Sequence, residues 1–431
     1  MKRYGNLWGA ICDRSNLELA ADLALKGKKL NKERCEFLAN RVALLDDLQA
    51  LLIDEIYHFS PLRHFVVYEP KKREIHHPPF YPDKIIHHAL MNVIKPLIIE
   101  KFTSDTYGSI KGRGVTLATE RMKKVLKNNP DSYYLQIDCQ KYYQSIDHNI
   151  CKEAIRRVIK CPQTLRLIDS LIDVHDEGLA IGVFPSQYLA NLVLARFDHW
   201  VKEEMHVPHY FRYMDDIVLI LPDKASAHNA LLEIKKQMSD LKLTIKNNSR
   251  IAPVESGIDF LGYKFYPTHT LLRKRIKESM KRTVRRLAKN EVSDEVFKRK
   301  TAAHFGWCKH ANCRNLIRNT FGDKITLYER NMQFKRLSEI REAENWFGLP
   351  KDKRVSIKSL FNVDIVFFDN LITTIKGETK VVVKFAYPDR PEDYHYFITR
   401  SDVMMDRLER DKEHMPFIAT IKQIKNYTAY E

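Results

Sequence analysis

Apolar positions along the chain change their period several times, and each change marks a new element. Between residues 35 and 56, CEFLANRVALLDDLQALLIDEI repeats Leu and Ala at helical spacing, and no proline interrupts before Pro61. A helical N-terminal region is expected there. RHFVVYEPKKREIHHPPF then reads as a strand, a basic turn at Pro70-Lys71-Lys72-Arg73 and a return strand ended by Pro78-Pro79. Helical spacing returns in DKIIHHALMNVIKPLIIEKF, followed by the glycine-punctuated loop YGSIKGRGV and a helix starting near Thr116. SYYLQID reads as a strand ending in Asp138. FRYMDDIVLI reads as two short strands with Met214-Asp215-Asp216 at the turn. Further on, Ile276, Met280, Val284 and Leu287 recur at helical spacing among cationic residues, which predicts a helix with one buried stripe. From about Ile325 a charged helical connector precedes β-rich sequence: VDIVFFDNLITTI, TKVVVKFAY, YHYFIT and FIATIKQI. That part is expected to form a separate small domain.

Composition sharpens this picture. At 431 residues and 44% hydrophobic content the chain can build more than one core. Its net charge of +17 points to a polyanionic partner. The surplus is concentrated: Arg273 to Lys300 carries 12 basic and 4 acidic side chains. The basic face of that helix, with Arg282, Arg285 and Arg286, is expected to meet a phosphate backbone. Seven cysteines without a CxxC pair argue for a reducing compartment. His304, Cys308, His310 and Cys313 fit none of the common zinc spacings. No leader-like N-terminus and no apolar run of membrane-spanning length is visible, so a soluble, cytoplasmic protein without membrane contact is expected.

Two adjacent carboxylates at a hairpin repel each other unless a cation or water offsets their charge. Asp138, at the end of another strand, supplies a third carboxylate. Hard oxygen ligands spread over two strands suit Mg²⁺, which keeps waters and takes substrate phosphates as its remaining ligands. Two such ions can activate an attacking 3′-hydroxyl and stabilise departing pyrophosphate. Asp138, Asp215 and Asp216 are therefore the expected metal ligands; Cys139, next to Asp138, is also expected to contact the metal, with Mn²⁺ as a possible substitute for Mg²⁺. Asp138, Asp215 and Asp216 are the expected catalytic residues.

The same residues, in order, resemble the motifs of reverse transcriptases. Tyr213-Met214-Asp215-Asp216 is similar to their YxDD hairpin and Asp138 to their first catalytic aspartate. The resemblance implies a right-hand polymerase, an α+β fold of fingers, palm and helical thumb, here with an additional C-terminal β-rich domain. It implies that Tyr143 gates against a ribose 2′-hydroxyl and that Lys72 and Arg73 hold the incoming triphosphate. Tyr213 and Met214 are expected at the nucleotide. Arg113, in the loop before the template-contacting helix, and Phe260-Leu261-Gly262-Tyr263, similar to the primer-grip motif, are expected at nucleic acid. IGVFPSQYLANLVLARFD places Ile181, Gly182, Ser186 and Gln187 at the nucleotide site. Its IGxxxSQ pattern resembles the enzymes of diversity-generating retroelements. That subfamily implies cDNA synthesis error-prone at template adenines, with template RNA, the RNA/cDNA duplex, dNTPs and a small basic accessory protein as partners, in a bacterial or phage-infected cell.

The expected layout is an N-terminal helical region at 1–60, fingers and palm at 61–263, a thumb at 264–322, a connector at 323–354 and an accessory domain at 355–431. Asp147 precedes HNICKEAIRRVIK and is expected to be a helix N-cap. Lys246 is the candidate acid for pyrophosphate, and His76-His77 and His87-His88 read as structural or RNA-facing. A phage-defence reverse transcriptase and a non-catalytic RNA-binding protein with a retired palm are the alternative readings.

Overall fold

The computed structural model describes residues 3–68, 72–290, 292–322, 364–375, 378–388, 390–399, 417–424 and 427–430. The expected connector and the turn residues Pro70 and Lys71 lie outside them. Contacts divide the chain into two compact units, Met1–Gly322 and Asp323–Glu431.

The first unit begins with α1 (Trp8–Cys12), α2 (Arg14–Leu25), α3 (Lys32–Ala39) and α4 (Arg41–Ile53). Asp13 caps α2 by accepting from the Ser15 and Asn16 N–H groups, and Leu45, Leu48 and Leu52 bury one side of α4. A two-stranded hairpin follows, β1 (Arg63–Val67) and β2 (Arg73–His77), with Val67 opposite Arg73. Then come α5 (Ile85–Ile99) and α6 (Val115–Asn128), both where the apolar spacing predicts them.

The central sheet is built from β3 (Tyr133–Asp138), β4 (His209–Tyr213), β5 (Asp216–Leu221) and β6 (Arg250–Pro253), in the order β4-β5-β3-β6. All three pairings are antiparallel. Between β3 and β4 the chain forms α7 (Tyr142–Ser145), α8 (His148–Arg156), α9 (Pro162–Asp173), α10 (Ser186–Val193) and α11 (Ala195–Glu203). After β5 it forms α12 (Lys224–Asp240). Asp147 caps α8 as expected, accepting from the Ile150 N–H at 3.0 Å. Strand alternation sorts the side chains. Leu135, Ile137, Ile217 and Leu219 join the main core, while Gln136, Asp138 and Asp216 lie on the other face.

A small sheet, β7 (Ile258–Phe260), β8 (Tyr263–Phe265) and β9 (Thr270–Leu272), leads into α13 (Lys274–Lys289), α14 (Asp294–Cys308) and α15 (Arg314–Phe321). Met280, Val284 and Leu287 are buried, so the stripe predicted on α13 is its packed face. No described helix is long and apolar enough to cross a membrane.

The second unit holds an antiparallel sheet of β10 (Asp364–Ile375), β11 (Glu378–Tyr387), β12 (Arg390–Thr399), β13 (Phe417–Ile424) and β14 (Tyr427–Tyr430). The strand order is β12-β11-β10-β13-β14. Four of these strands follow the apolar segments of the sequence. The fifth, Tyr427–Tyr430, is too short to stand out there. Residues 323–431 carry 19 basic and 18 acidic side chains, so nearly all of the +17 belongs to the first unit.

Candidate active site

β3 and β5 run antiparallel with Asp138 directly opposite Asp216. The β4–β5 connection is a two-residue turn, because Tyr213 pairs with Asp216. Met214 takes a left-handed conformation there, with φ of 59°. A methionine rarely adopts it, so surrounding structure must hold the turn.

The turn brings the Asp215 carboxyl within hydrogen-bonding reach of Asp138. Burial first, then the hydrogen bond and charge of Asp138, push Asp215 up to about 6. Asp216 is pushed up to about 7, chiefly by burial, although Gln136 donates to its Oδ1 at 3.2 Å and pulls the other way. Lys246 forms an ion pair with Asp138 Oδ2, and its N–H donates to the Asp138 carbonyl at 2.9 Å. The lysine expected to serve as the acid thus sits on the first carboxylate of the site.

Cys139 takes part through its backbone. It bridges Ile245, but the flanking residues carry the bonds, Lys246 N–H to Asp138 O and Gln140 N–H to Thr244 O. In an antiparallel bridge of that kind the middle residue turns its own N–H and C=O to the opposite edge, toward the hairpin. The thiol itself is buried and pushed up to about 12, by burial first and then by the charges of Asp215 and Asp138. Cys139 therefore offers the site a carbonyl oxygen and no thiolate.

Among the described residues no three His, Cys, Asp or Glu side chains converge as a ready-made metal cage. Mg²⁺ does not require one: it takes one or two carboxylates and completes its shell with water and phosphate. Two mutually repelling carboxyls opposed by one lysine, beside an available carbonyl, form a donor set that fits such an ion.

Around this pair the expected nucleotide residues gather unevenly. Tyr143 is half-buried, and burial, then the charge of Asp215, raise its hydroxyl, while Arg73 acts in the opposite sense. Arg73 and Asp215 thus both exert their fields on Tyr143. Lys72 and Arg73 are exposed at the distal end of the hairpin. The Ile181 carbonyl accepts from the His76 N–H at 2.7 Å. Gly182, at φ of 107°, lies so close to β2 that a Cβ would come within 2.4 Å of the His76 carbonyl. Gln187 is exposed, Tyr213 and Met214 are half-buried, and Ser186 is buried at the start of α10.

Burial bears on the residues expected at nucleic acid. Phe260 and Tyr263 are 0% and 1% exposed and pair across the β7–β8 hairpin, so their side chains are core residues. Leu261 and Gly262 form its two-residue turn with φ of 51° and 86°. Positive φ at both positions is the geometry that matches strand twist in such hairpins. Gly262 has no room for a side chain, since a Cβ would meet Trp307 at 2.7 Å. Arg113 is turned onto main-chain carbonyls, its Nη1 donating to Thr103 O at 2.5 Å and Thr106 O at 3.2 Å, so it braces the loop it belongs to. Arg282, Arg285 and Arg286 are exposed along α13.

The histidines that the sequence singles out are engaged within the fold. His87 is buried and lowered to about 3, by burial first and then by the charge of His88. His76 and His175 approach Nε2 to Nε2 at 3.2 Å, joining β2 to the loop after α9. In the Cys- and His-bearing segment around Cys308, His304 Nε2 lies 3.3 Å from Thr283 Oγ1 and His310 Nε2 lies 3.3 Å from Thr116 Oγ1.

Two residues of this centre escaped sequence reasoning. Gln136 is the one polar interruption of the strand YYLQID, a signal that was available. Arg212 is a cation within YFRYM that is 0% exposed, and its partners lie on other elements.

Residues 70–265 match the family model described as reverse transcriptase (RNA-dependent DNA polymerase). The chain therefore carries a reverse transcriptase domain, with the mixed helix-and-sheet fold of that class. Residues 351–431 match a domain of unknown function (DUF8468). No curated protein matches. Among solved structures, apo telomerase from Candida tropicalis truncated from its C-terminal domain is 12% identical, with a TM-score of 0.41 over 50% of this chain and 55% of that one. Apo telomerase from the same organism is 11% identical, with a TM-score of 0.38 over 52% and 51%. Telomerase from Candida albicans in complex with a TWJ fragment of telomeric RNA is 9% identical, with a TM-score of 0.42 over 70% and 62%. This chain thus spans between 51% and 62% of the length of these structures. The likeness is distant, and the domain assignment rests on the family match.

Asp215 and Asp216 hold protons more tightly in the folded, metal-free chain than in the unfolded one, where a carboxyl titrates near ~4. The folded state therefore binds more protons between about pH 4 and 7, and stability falls as pH rises through that window. Asp216→Asn removes one of these charges and keeps the acceptor for Gln136. Thermal unfolding in chelator at pH 8 should show a Tm roughly 2–4 °C above that of the parent, with the gap closing toward pH 5. An equal gap at both pH values would mean that the carboxyl is not perturbed. On α13, replacing Arg282, Arg285 and Arg286 by Gln should weaken binding to a primed RNA. The log-log salt slope should become less steep by roughly 0.7–0.9 for each phosphate no longer neutralised, as measured by fluorescence anisotropy across a salt series.

Proposed function

We propose that this protein is an RNA-directed DNA polymerase that extends a primer on an RNA template with dNTPs, and that Asp138 and Asp215 are the carboxylates that hold its metal ions. The observation that carries this reading is the meeting of those two carboxyls where β3 pairs with β5, inside the region that matches the reverse transcriptase family. Two Mg²⁺ ions bound there, or Mn²⁺ in their place, would supply the charge that activates the attacking 3′-hydroxyl and stabilises the departing pyrophosphate.

The chain's own residues divide the remaining work. Asp216 stands beside the pair and is oriented by Gln136. Cys139 contributes its carbonyl. Lys246 balances Asp138 until substrate arrives and is then placed to give a proton to pyrophosphate. Tyr143 lies within the field of Asp215, where a phenol ring can exclude a ribose 2′-hydroxyl. Lys72 and Arg73 reach out from the hairpin for the triphosphate, and the exposed arginines of α13 follow the RNA/cDNA duplex. A non-catalytic palm is disfavoured by the same facts, because three carboxylates held together without a bound cation cost stability and serve no packing purpose. Asp215→Ala with Asp216→Ala should abolish single-nucleotide incorporation on primed RNA while leaving RNA affinity within about twofold, since neither group contacts the template. Retained incorporation would overturn the assignment.

The finer reading is a retroelement enzyme of the diversity-generating kind, with a small basic protein as accessory and errors concentrated at template adenine. It is supported by the IGVFPSQ motif alone, in which Ile181 stands half-buried where an amide would offer a directional hydrogen bond. One such bond is worth about 0.5–1.5 kcal/mol, roughly a 2- to 13-fold difference in discrimination. Ile181→Gln should lower misincorporation opposite adenine by a factor in that range, read by deep sequencing of cDNA from one defined RNA. Identical error spectra would remove this support and leave the phage-defence reading equally placed.

A further inference from the structure

The YMDD turn rests on a buried cation. Arg212 is 0% exposed in β4, and its side chain lies on the core side of the sheet, away from the cleft. Its Nε donates to Asp198 Oδ1 at 2.6 Å, and Nη2 completes the bidentate pair with Oδ2 on α11. Burial disfavours the guanidinium charge, but Asp198 more than offsets this, so the pKa is raised above its ordinary value. A charge-assisted fork of this kind fixes the guanidinium plane.

The fixed plane is then used elsewhere. Nη1 donates to Asn191 Oδ1 at 2.9 Å and to the Met214 carbonyl at 3.0 Å. Asn191 in turn donates from Nδ2 to the Gly108 carbonyl at 2.9 Å. Gly108 packs closely against the turn, since a Cβ there would meet Met214 Sδ at 2.7 Å and the Met214 N at 3.0 Å. The left-handed Met214 is thus bonded through its carbonyl to Arg212 and packed at its thioether and amide against Gly108. Asp215 follows it directly.

We propose that Arg212 is a positioning residue that places the Asp215 carboxylate through the Met214 carbonyl, beyond its part in holding the core. This rests on the polymerase reading above for its activity readout, and on metal binding for a second, separate one. Lysine at 212 can keep a buried cation opposite Asp198, but it has no fork with which to reach Asn191 and the Met214 carbonyl as well. Gly108→Ala disturbs the same turn by crowding Met214 and leaves the Arg212–Asp198 pair in place.

The experiment compares Arg212→Lys, Gly108→Ala and a destabilised control, Leu48→Ala in the N-terminal helices, with the parent. It measures the Mg²⁺ half-saturation of single-nucleotide incorporation, kcat and KM for dNTP, and the Mg²⁺-dependent rise in Tm without substrate. Both turn variants are expected to need roughly tenfold more Mg²⁺ and to lose activity in kcat with KM nearly unchanged, as when a residue supporting a metal ligand is removed. The control should lose Tm and keep the parental Mg²⁺ requirement. An unchanged Mg²⁺ requirement in the folded Lys variant overturns the proposal, as does full recovery of activity by lysine. Failure of both variants to fold overturns it too, by making the clamp a folding element only. If the parent binds Mg²⁺ but incorporates no nucleotide, the polymerase reading fails, and the shift in the Mg²⁺-dependent Tm still decides the role of Arg212.

Discussion

Like charges do not gather in a folded chain without something to hold them, and that repulsion organises the first unit. Asp138, Asp215 and Asp216 meet only because β3 and β5 are paired in a register that sets Asp138 opposite Asp216. A slip of one residue would send the carboxylates to the core face. The register is secured by Leu135, Ile137, Ile217 and Leu219, which are buried in the main core together with the apolar residues of α12. Apolar packing on one face thus sustains electrostatic strain on the other.

That strain is relieved at several levels. Lys246 opposes Asp138, Gln136 donates to Asp216, and the raised pKa of Asp215 and Asp216 lets a proton stand in for a cation when none is bound. Beneath the turn the order is reversed, and a cation, Arg212, is held by an anion, Asp198. Buried pairs of that sort contribute little net stability because desolvation offsets their attraction. Their value lies in fixed geometry, and here the geometry is spent on a main-chain carbonyl beside the site.

Much of this was legible in the chain itself. YYLQID and IVLI announce strands through β-branched and aromatic runs, and the stripe of Met280, Val284 and Leu287 emerges as the packed face of α13. Asp147 is a cap because a short acceptor precedes a helical period. Side-chain orientation was what a local motif could not supply. Phe260 and Tyr263 flank a two-residue turn, so they pair and share a face, and that face is the core. Arg113, expected at nucleic acid, is a loop brace in space. Arg212 could not be read at all, since its meaning depends on Asp198 and Asn191, which reach it only through the fold.

The contact between β2 and the IG motif bears on motion. His76 is tied by its N–H to the Ile181 carbonyl, and Gly182 lets the two backbones lie closer than any side chain would allow. Main-chain anchoring of this kind does not loosen when side chains change rotamer. A hairpin moored at His76 swings as one rigid lever only by breaking this bond. Any bend that leaves this bond intact is confined to the part beyond the mooring, whose described residues from His76 to Arg73 span roughly 10 Å at about 3.4 Å per residue. Lys72 and Arg73, at the far end of that stretch, are the cations that such a bend would carry farthest.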